Sequence, residues 1–233
     1  NLFKTIMILA TSVIAFIIGY ILYTILSKGL PYLSWEVIST LPESGFYIGK
    51  GGGILNAIVG SIYITLGSVI LGLIISIPVV LYLNVYLKAG SRLGNLIRLS
   101  ADVLLGIPSI VYGAFGFILM VSLGLKTSLL AGIITVAFLI IPILIRSMDV
   151  VMRTIPHELA DAAYSLGSTR WEVSKILVKQ SIPGIITAVL LAFGRAIGDG
   201  ASVLFTAGFT DGIPTSLNES AATLPLSIFF QLG

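Results

Sequence analysis

The chain contains no cysteine, a single histidine, and few charges: lysine, arginine, aspartate and glutamate make up 10% of its 233 residues. The missing cysteine excludes disulfides, thiolate metal sites and thiol catalysis. The scarcity of charge excludes an ordinary soluble domain, in which about a quarter of residues are charged. A net charge of +3 is too small a basic excess to argue for nucleic acid. Hydrocarbon takes the place of charge: 57% of residues are hydrophobic and the mean hydropathy is +1.09. Such a composition belongs in a bilayer. The useful unit of length is then the apolar run of about 20 residues that crosses ~30 Å of hydrocarbon.

Hydropathy predicts an all-α polytopic membrane bundle of about six helices, read as one transmembrane domain over residues 1–233. The runs are Thr5–Leu26, Leu55–Leu87, Leu99–Leu123, Ser128–Val151 and Pro183–Ala207, with a sixth beginning near Ala221. The chain opens at Asn1 without methionine and stops inside that sixth run, so both ends read as trimmed. Lys4 ahead of the first run imitates a signal peptide, but the run has the length of a span and no small-residue cleavage site before Lys28. It is read as a retained helix. The second run exceeds one crossing, so its helix is expected to tilt, kink at Pro78 or extend beyond the membrane.

Placing the N-terminus in the cytoplasm puts Lys4, Lys88, Arg92, Arg98, Arg146, Arg153, Arg170, Lys175 and Lys179 inside, against Lys28, Lys50 and Lys126 outside. Nine against three is a positive-inside bias, and six spans return the C-terminus to the same side. The acidic Glu36, Glu43, Asp211 and Glu219 fall outside. Gly51-Gly52-Gly53 in the first outer loop lacks the Lys-Ser/Thr of a phosphate cradle and reads as a flexible turn into the second span. Tyr32 and Trp35 read as interfacial anchors. Asn218-Glu-Ser220 matches a glycosylation triplet, a pattern too frequent to weigh by itself.

The long polar interruption is Pro156 to Pro183. Pro156 suits the first turn of a helix, and Leu159, Ala162, Ala163 and Leu166 recur at helical spacing as a narrow apolar stripe. Gly167 suits a left-handed stop, and Thr169-Arg-Trp-Glu172 fits a capping box that starts a second helix. A hairpin of this kind either packs on its own protein or is offered to a partner.

In the fifth run, Arg195 lies four residues before Asp199, with Gly194 and Gly198 forming a small-x3-small step for close helix packing. An arginine at mid-helix costs roughly 2.5–3.5 kcal/mol on translocon scales, so it must face protein or water and have a partner. Arg195 and Asp199 form either a structural bridge or a substrate site. The guanidinium fork matches a tetrahedral oxyanion, and the carboxylate could hold the arginine between substrates or accept the proton of hydrogen phosphate. Pro108 and Ser109 are expected to interrupt the third span, either lining a pathway or simply kinking the helix. Pro142 reads as a kink. His157, without a second ligand, reads as a surface residue, and Asp102 and Asp149 as interfacial charges near helix ends. No metal site and no catalytic set emerges, since Ser109 has no histidine base and no His-Glu-x-x-His pattern occurs.

Asp161-Ala-Ala163, three residues, then Gly167 resembles the EAA loop of the membrane subunits of ABC importers. It has Asp161 where that loop carries Glu, and Leu177-Val-Lys-Gln180 where it reads Ile-x-Leu-Pro. Gly106-Ile-Pro-Ser-Ile-Val-Tyr-Gly113 and the stretch from Arg195 to Leu204-Phe-Thr-Ala207 are similar to the phosphate-specific transport permeases, nearer the PstA-type than the PstC-type subunit. Gly198-Asp199-Gly200 here replaces their usual Gly-Glu-Thr. The resemblance covers nearly the whole chain and implies the type I ABC importer transmembrane fold in a bacterial or archaeal cytoplasmic membrane. It implies a coupling loop over about residues 152–182, docking an ATPase subunit through Glu158, Asp161, Ala162, Ala163 and Gly167. It implies a substrate pathway through Arg195, Asp199 and Ser109. The partners it implies are a PstC-like sister permease, a PstB-like ATPase dimer holding ATP and Mg, a PstS-like external phosphate-binding protein, and lipid. The alternatives are a permease for sulfate or molybdate and a self-sufficient ion-coupled anion carrier, although no convincing internal repeat supports the carrier.

Overall fold

The computed structural model describes residues 2–43, 51–88 and 90–232, the side chains of 231 and 232 excepted. The expectation for Lys50 lies outside these residues. In order, the helices are α1 (Leu2–Gly29), α2 (Trp35–Ser39), α3 (Leu55–Leu81), α4 (Arg92–Leu105), α5 (Ser109–Ser122), α6 (Leu129–Arg153), α7 (His157–Ser165), α8 (Arg170–Ile197) and α9 (Leu224–Leu232). A short 3-10 turn follows α1 at Leu30–Tyr32, and a π-turn, Tyr82–Tyr86, extends α3. Among the described residues α1, α3, α6 and α8 are long and apolar enough to cross a membrane, and the α4–α5 pair adds a fifth crossing if counted as one broken span. The sixth run begins its helix at Leu224, three residues after the expected Ala221.

The core is built where α3, α6 and α8 meet. Ile64, Val80, Val136, Ile140, Leu144, Met148, Ala188 and Ala192 are buried there. Small residues let the backbones approach. A Cβ at Gly72 would stand 2.8 Å from Leu144 Cδ1, and one at Gly184 would collide with Val151. Ser68 Oγ donates to the carbonyl of Ile133 at 2.9 Å, adding a hydrogen bond across the α3–α6 contact. Packing of this kind holds helices together where lipid tails compete for apolar contact. By contrast α1 has no buried residue, so its apolar surface is left to lipid or another chain. Tyr32 and Trp35, the expected anchors, are both exposed.

One expectation is sharpened by the backbone and two are corrected. The interruption expected at Pro108 and Ser109 divides the third run into two helices meeting at 104°. Pro108 has no N–H and forces its predecessor out of the helical region. The bend is held because the Leu104 carbonyl, which already accepts the Ile107 amide at 3.2 Å, also accepts from Tyr112 Oη at 2.9 Å. Secondly, α8 begins at Arg170, runs through Pro183 and stops at Ile197, so residues 198–223 are not helix but a folded segment inserted among the helices. Ala207, Ala221 and Ala222 in it are fully buried. It also satisfies the start of α6: the amides of Ser128, Leu129 and Leu130 donate to the carbonyls of Thr206, Glu219 and Leu217. Thirdly, the triple glycine is no slack turn. Gly52 has φ +108°, and a Cβ at Gly53 would collide with the carbonyls of Val37 and Thr40 at the end of α2. The chain returns against α2 so closely that only glycine fits.

Candidate functional site

At the end of α8, Gly198 caps the helix and Asp199 turns its carboxylate inward. Its Oδ2 accepts the amide of Ser202 at 2.9 Å, which caps the turn over 201–207, and its Oδ1 lies 3.6 Å from Arg195 Nη2. Asp199 is 6% exposed, whereas the Arg195 side chain is 48% exposed. The pair therefore exists, with its carboxylate fixed by the backbone and its guanidinium largely free. Arg195 is in the last turn of α8 rather than mid-helix, where a cation is favoured by the helix dipole by about 0.3–1 kcal/mol. That placement offsets much of the penalty expected from hydropathy.

Beside Asp199 runs a narrow crevice lined by Ser61, Thr65 and Thr223 together with Ile64, Ala196, Ile197 and Val203. Ser61 Oγ accepts the amide of Leu224, and Thr223 Oγ1 that of Leu226. The buried Ser202 hydroxyl has no hydrogen-bond partner among the described residues. Helix α5 closes on this turn: a Cβ at Gly113 would stand 2.8 Å from the Ala201 carbonyl. Ser109, one turn earlier on α5, is half-buried and makes no hydrogen bond to Arg195 or Asp199 among the described residues. The glycine step packs no other helix among the described residues: nothing lies within 4 Å of a Cβ at Gly194, and only the Gly194 carbonyl approaches one at Gly198.

At the opposite end of α8, α7 and the start of α8 form the hairpin expected from the polar interruption. Pro156 sits just before the first turn of α7 rather than in it. The helix closes with Ser168 N donating to the Ala163 carbonyl and Gly167 N to that of Tyr164, with Gly167 at φ +84°. Thr169 and Glu172 form the reciprocal capping box, Thr169 N reaching Glu172 Oε2 at 2.7 Å. Ala163 turns inward and packs with Val173 and Leu177 against Val85, Ile155 and Ala160. It holds the hairpin to the bundle instead of facing outward. Glu158, Asp161, Ala162 and Gly167 are exposed, and Leu166, at 88%, projects into open space. Of the stripe, Ala163 is buried and Leu159 is partly covered at 37% exposure, while Ala162 and Leu166 stay exposed. His157 is exposed.

Sequence reasoning misplaced Asp149, which is fully buried rather than interfacial. Arg98 Nε stands 2.9 Å from its Oδ2 and Arg98 Nη2 3.1 Å from its Oδ1. Asn84 Nδ2 donates to Oδ1 at 2.9 Å, and Arg153 Nε lies 3.2 Å from Oδ2. Arg146 reaches Asp149 at 3.9 Å and Asp102 at 2.9 Å, so Asp102 joins the same network from a more exposed position. The i, i+3 and i+7 spacing of Arg146, Asp149 and Arg153 signals one charged helix face, but its partners on α4 and the π-turn are distant in sequence.

Broken helices, a buried carboxylate beside a half-exposed arginine, and an exposed helix hairpin define a polytopic membrane component with a narrow polar crevice at one end of α8 and an open helical surface at the other. No cluster of three or more potential metal ligands occurs among the described residues. The chain belongs to the family described as binding-protein-dependent transport system inner membrane component, which matches residues 69–232. It is 36% identical over 229 residues to the phosphate transport system permease protein PstA of Haemophilus influenzae, covering 96% of this chain and 80% of that protein. It is 36% identical to the PstA of Pasteurella multocida, covering 98% and 81% respectively. A probable ABC transporter permease protein, YqgI of Bacillus subtilis, is 32% identical, covering 94% of this chain and 74% of that protein.

Proposed function

We propose that this chain is one membrane half of an ATP-driven importer of inorganic phosphate. The observation that carries the importer reading is the exposed face of α7. A membrane protein that builds a helix between two spans, closes it with a glycine stop and a capping box, and leaves Tyr164, Leu166 and Trp171 exposed on it offers an apolar surface suited to another protein. An ATPase subunit docked there would hold ATP and Mg and perform all hydrolysis, with this chain supplying no catalytic group. Both termini and the α7 hairpin would face the cytoplasm, as the lysine and arginine distribution requires.

Phosphate is the substrate named for the relatives, and the α8 end suits it. Arg195 offers a free fork of donors to an oxyanion delivered by an external binding protein. A PstC-like sister permease would cover the open face at Gly194 and complete the pathway. Asp199, one oxygen already held by Ser202, keeps lone pairs for the proton of hydrogen phosphate, which sulfate lacks. Transport would proceed by alternating access between the two permeases. The test is labelled phosphate uptake into proteoliposomes holding this chain, the sister permease and the ATPase, with external binding protein and sulfate as competitor. ATP-dependent uptake resistant to sulfate supports the reading. Uptake by this chain alone under an ion gradient would overturn it in favour of a carrier.

A further inference from the structure

We propose that Asn84, Arg98 and Asp149 are positioning residues that carry the displacement of the α7 hairpin to the α4–α5 elbow. This inference rests on the importer reading for the source of that displacement. The π-turn, Tyr82–Tyr86, touches both ends of the route within five residues. Val85 packs under Ala163, Val173 and Leu177 of the hairpin. Tyr86 lies beneath the guanidinium of Arg170, the first residue of α8, at 5.9 Å from its ring centroid. Between them and Val80, Asn84 donates to Asp149 and to the Val80 carbonyl, each at 2.9 Å.

Asp149 then hands the connection to α4. Arg98 grips both of its oxygens and reaches back to the Leu83 carbonyl at 3.5 Å. Arg146 bridges Asp149 to Asp102, which lies one turn beyond Arg98 on α4. Because Asp149 is shut away from water and held at both oxygens by Arg98, the joint is stiff: removing Arg98 would take the best-buried counter-charge from a buried carboxylate, leaving only the more exposed Arg146 and Arg153. The π-turn supplies the place to yield, since such single turns recur at functional points of helices. Along α4 the link ends at the 104° bend, whose second helix closes on the Asp199–Ser202 turn through Gly113. Motion entering at α7 thus has a continuous packed route to the wall of the polar crevice.

The test uses the assembled transporter carrying Asn84→Ala, Arg98→Lys or Asp149→Asn, with ATP hydrolysis and phosphate uptake measured on the same proteoliposomes. Uptake per ATP hydrolysed should fall about tenfold while hydrolysis stimulated by binding protein persists, as for residues on a coupling route. Arg98→Lys keeps the charge but loses the two-pronged grip, so it separates positioning from mere charge balance. A proportional fall of hydrolysis and uptake in all three variants would mark the network as structural and overturn the proposal. A second readout needs no phosphate. The chain has no cysteine, so spin labels at Leu96→Cys on α4 and Leu190→Cys on α8 report their distance on adding ATP. An ATP-dependent change that is lost in Asn84→Ala supports the proposal. No change in the unmodified complex, or an undiminished change in Asn84→Ala, overturns it. Failure of phosphate uptake by the unmodified complex would instead fail the substrate reading and leave the label result to decide the coupling.

Discussion

Gly60→Ala should unfold the corner where α3 supports the polar crevice. Gly60 is fully packed in α3, and a Cβ there would collide with the carbonyl of Ala222. That oxygen belongs to backbone and cannot rotate away, and Ala221, Ala222 and Thr223 are buried around it. One residue on, Ser61 Oγ accepts the amide of Leu224, so parting α3 from this segment also breaks the bond that starts α9. Overpacking a rigid site costs about 1–3 kcal/mol, and the lost hydrogen bond adds about 1 kcal/mol. The destabilisation should therefore stand near 3 kcal/mol, roughly a hundredfold in the folding equilibrium. Gly194→Ala is the matched control: it is helical, nothing lies within 4 Å of its Cβ, and alanine gains about 1 kcal/mol of helix propensity. Unfolding of the purified chain in mixed micelles by graded denaturing detergent measures both. Equal stability of the two variants would refute the packing argument. Gly194→Ala should, however, weaken co-purification with the sister permease if a partner helix covers that face.

Leu166→Glu leaves the chain as stable as before, because Leu166 is 88% exposed, but burial of a leucine in a partner contributes about 1.5–3 kcal/mol. Affinity for the ATPase subunit, read by pull-down titration, should fall at least about tenfold. Arg195→Lys should fold and insert normally yet lower phosphate uptake more than tenfold, since lysine lacks the planar fork; unchanged uptake would remove Arg195 from the pathway. Asp199→Asn should leave ATP-dependent uptake open to sulfate competition, and retained discrimination would sink the proton-accepting role. In the segment after α8, the amide and hydroxyl of Thr215 hold the Glu219 carboxyl below its usual range. A depressed acid stabilises above its unfolded pKa and loses that contribution as pH falls through the folded value. Glu219→Gln should therefore be less stable than the natural chain at neutral pH, with the difference shrinking as pH falls below the ordinary glutamate pKa of about 4.3 and through the lower folded value.

Much of this architecture is written in local pattern. The hairpin is legible because each of its devices sits within a few residues: the stripe of α7, the stop at Gly167 and the capping box of Thr169 and Glu172. The broken third span is half legible. Pro108 announces an interruption, but its 104° depends on Tyr112 reaching the Leu104 carbonyl and on Gly113 lying against Ala201 and Ser202. The end of the fifth run misleads hydropathy. Residues 201–207 are as apolar as a helix, yet the Asp199 carboxylate captures the Ser202 amide and opens a new turn. The flanking Gly198 and Gly200 were the available signal. Hydropathy measures where a segment is comfortable, and a non-helical segment buried among helices is comfortable in the same places as a span.

The misreading of Asp149 has a different cause. An aspartate near a helix end is ordinarily at the water boundary, and nothing within α6 says otherwise. Its burial is made possible by Arg98, 51 residues away, and Asn84, 65 residues away. Neither is anomalous alone: Arg98 counts as one more inside cation, and Asn84 as the polar tail of an overlong second run. Together they change what each does, because an arginine that strengthens the positive-inside bias in sequence is spent in the fold on neutralising a carboxylate. The network still carries a positive excess, since three arginines surround two aspartates in it. The charge count from which an orientation is predicted and the ion pairs that join α4 to α6 are therefore drawn from the same residues. Replacing Arg98 would test both at once, and Arg98→Lys, which preserves orientation while loosening the joint, is the substitution that tells them apart.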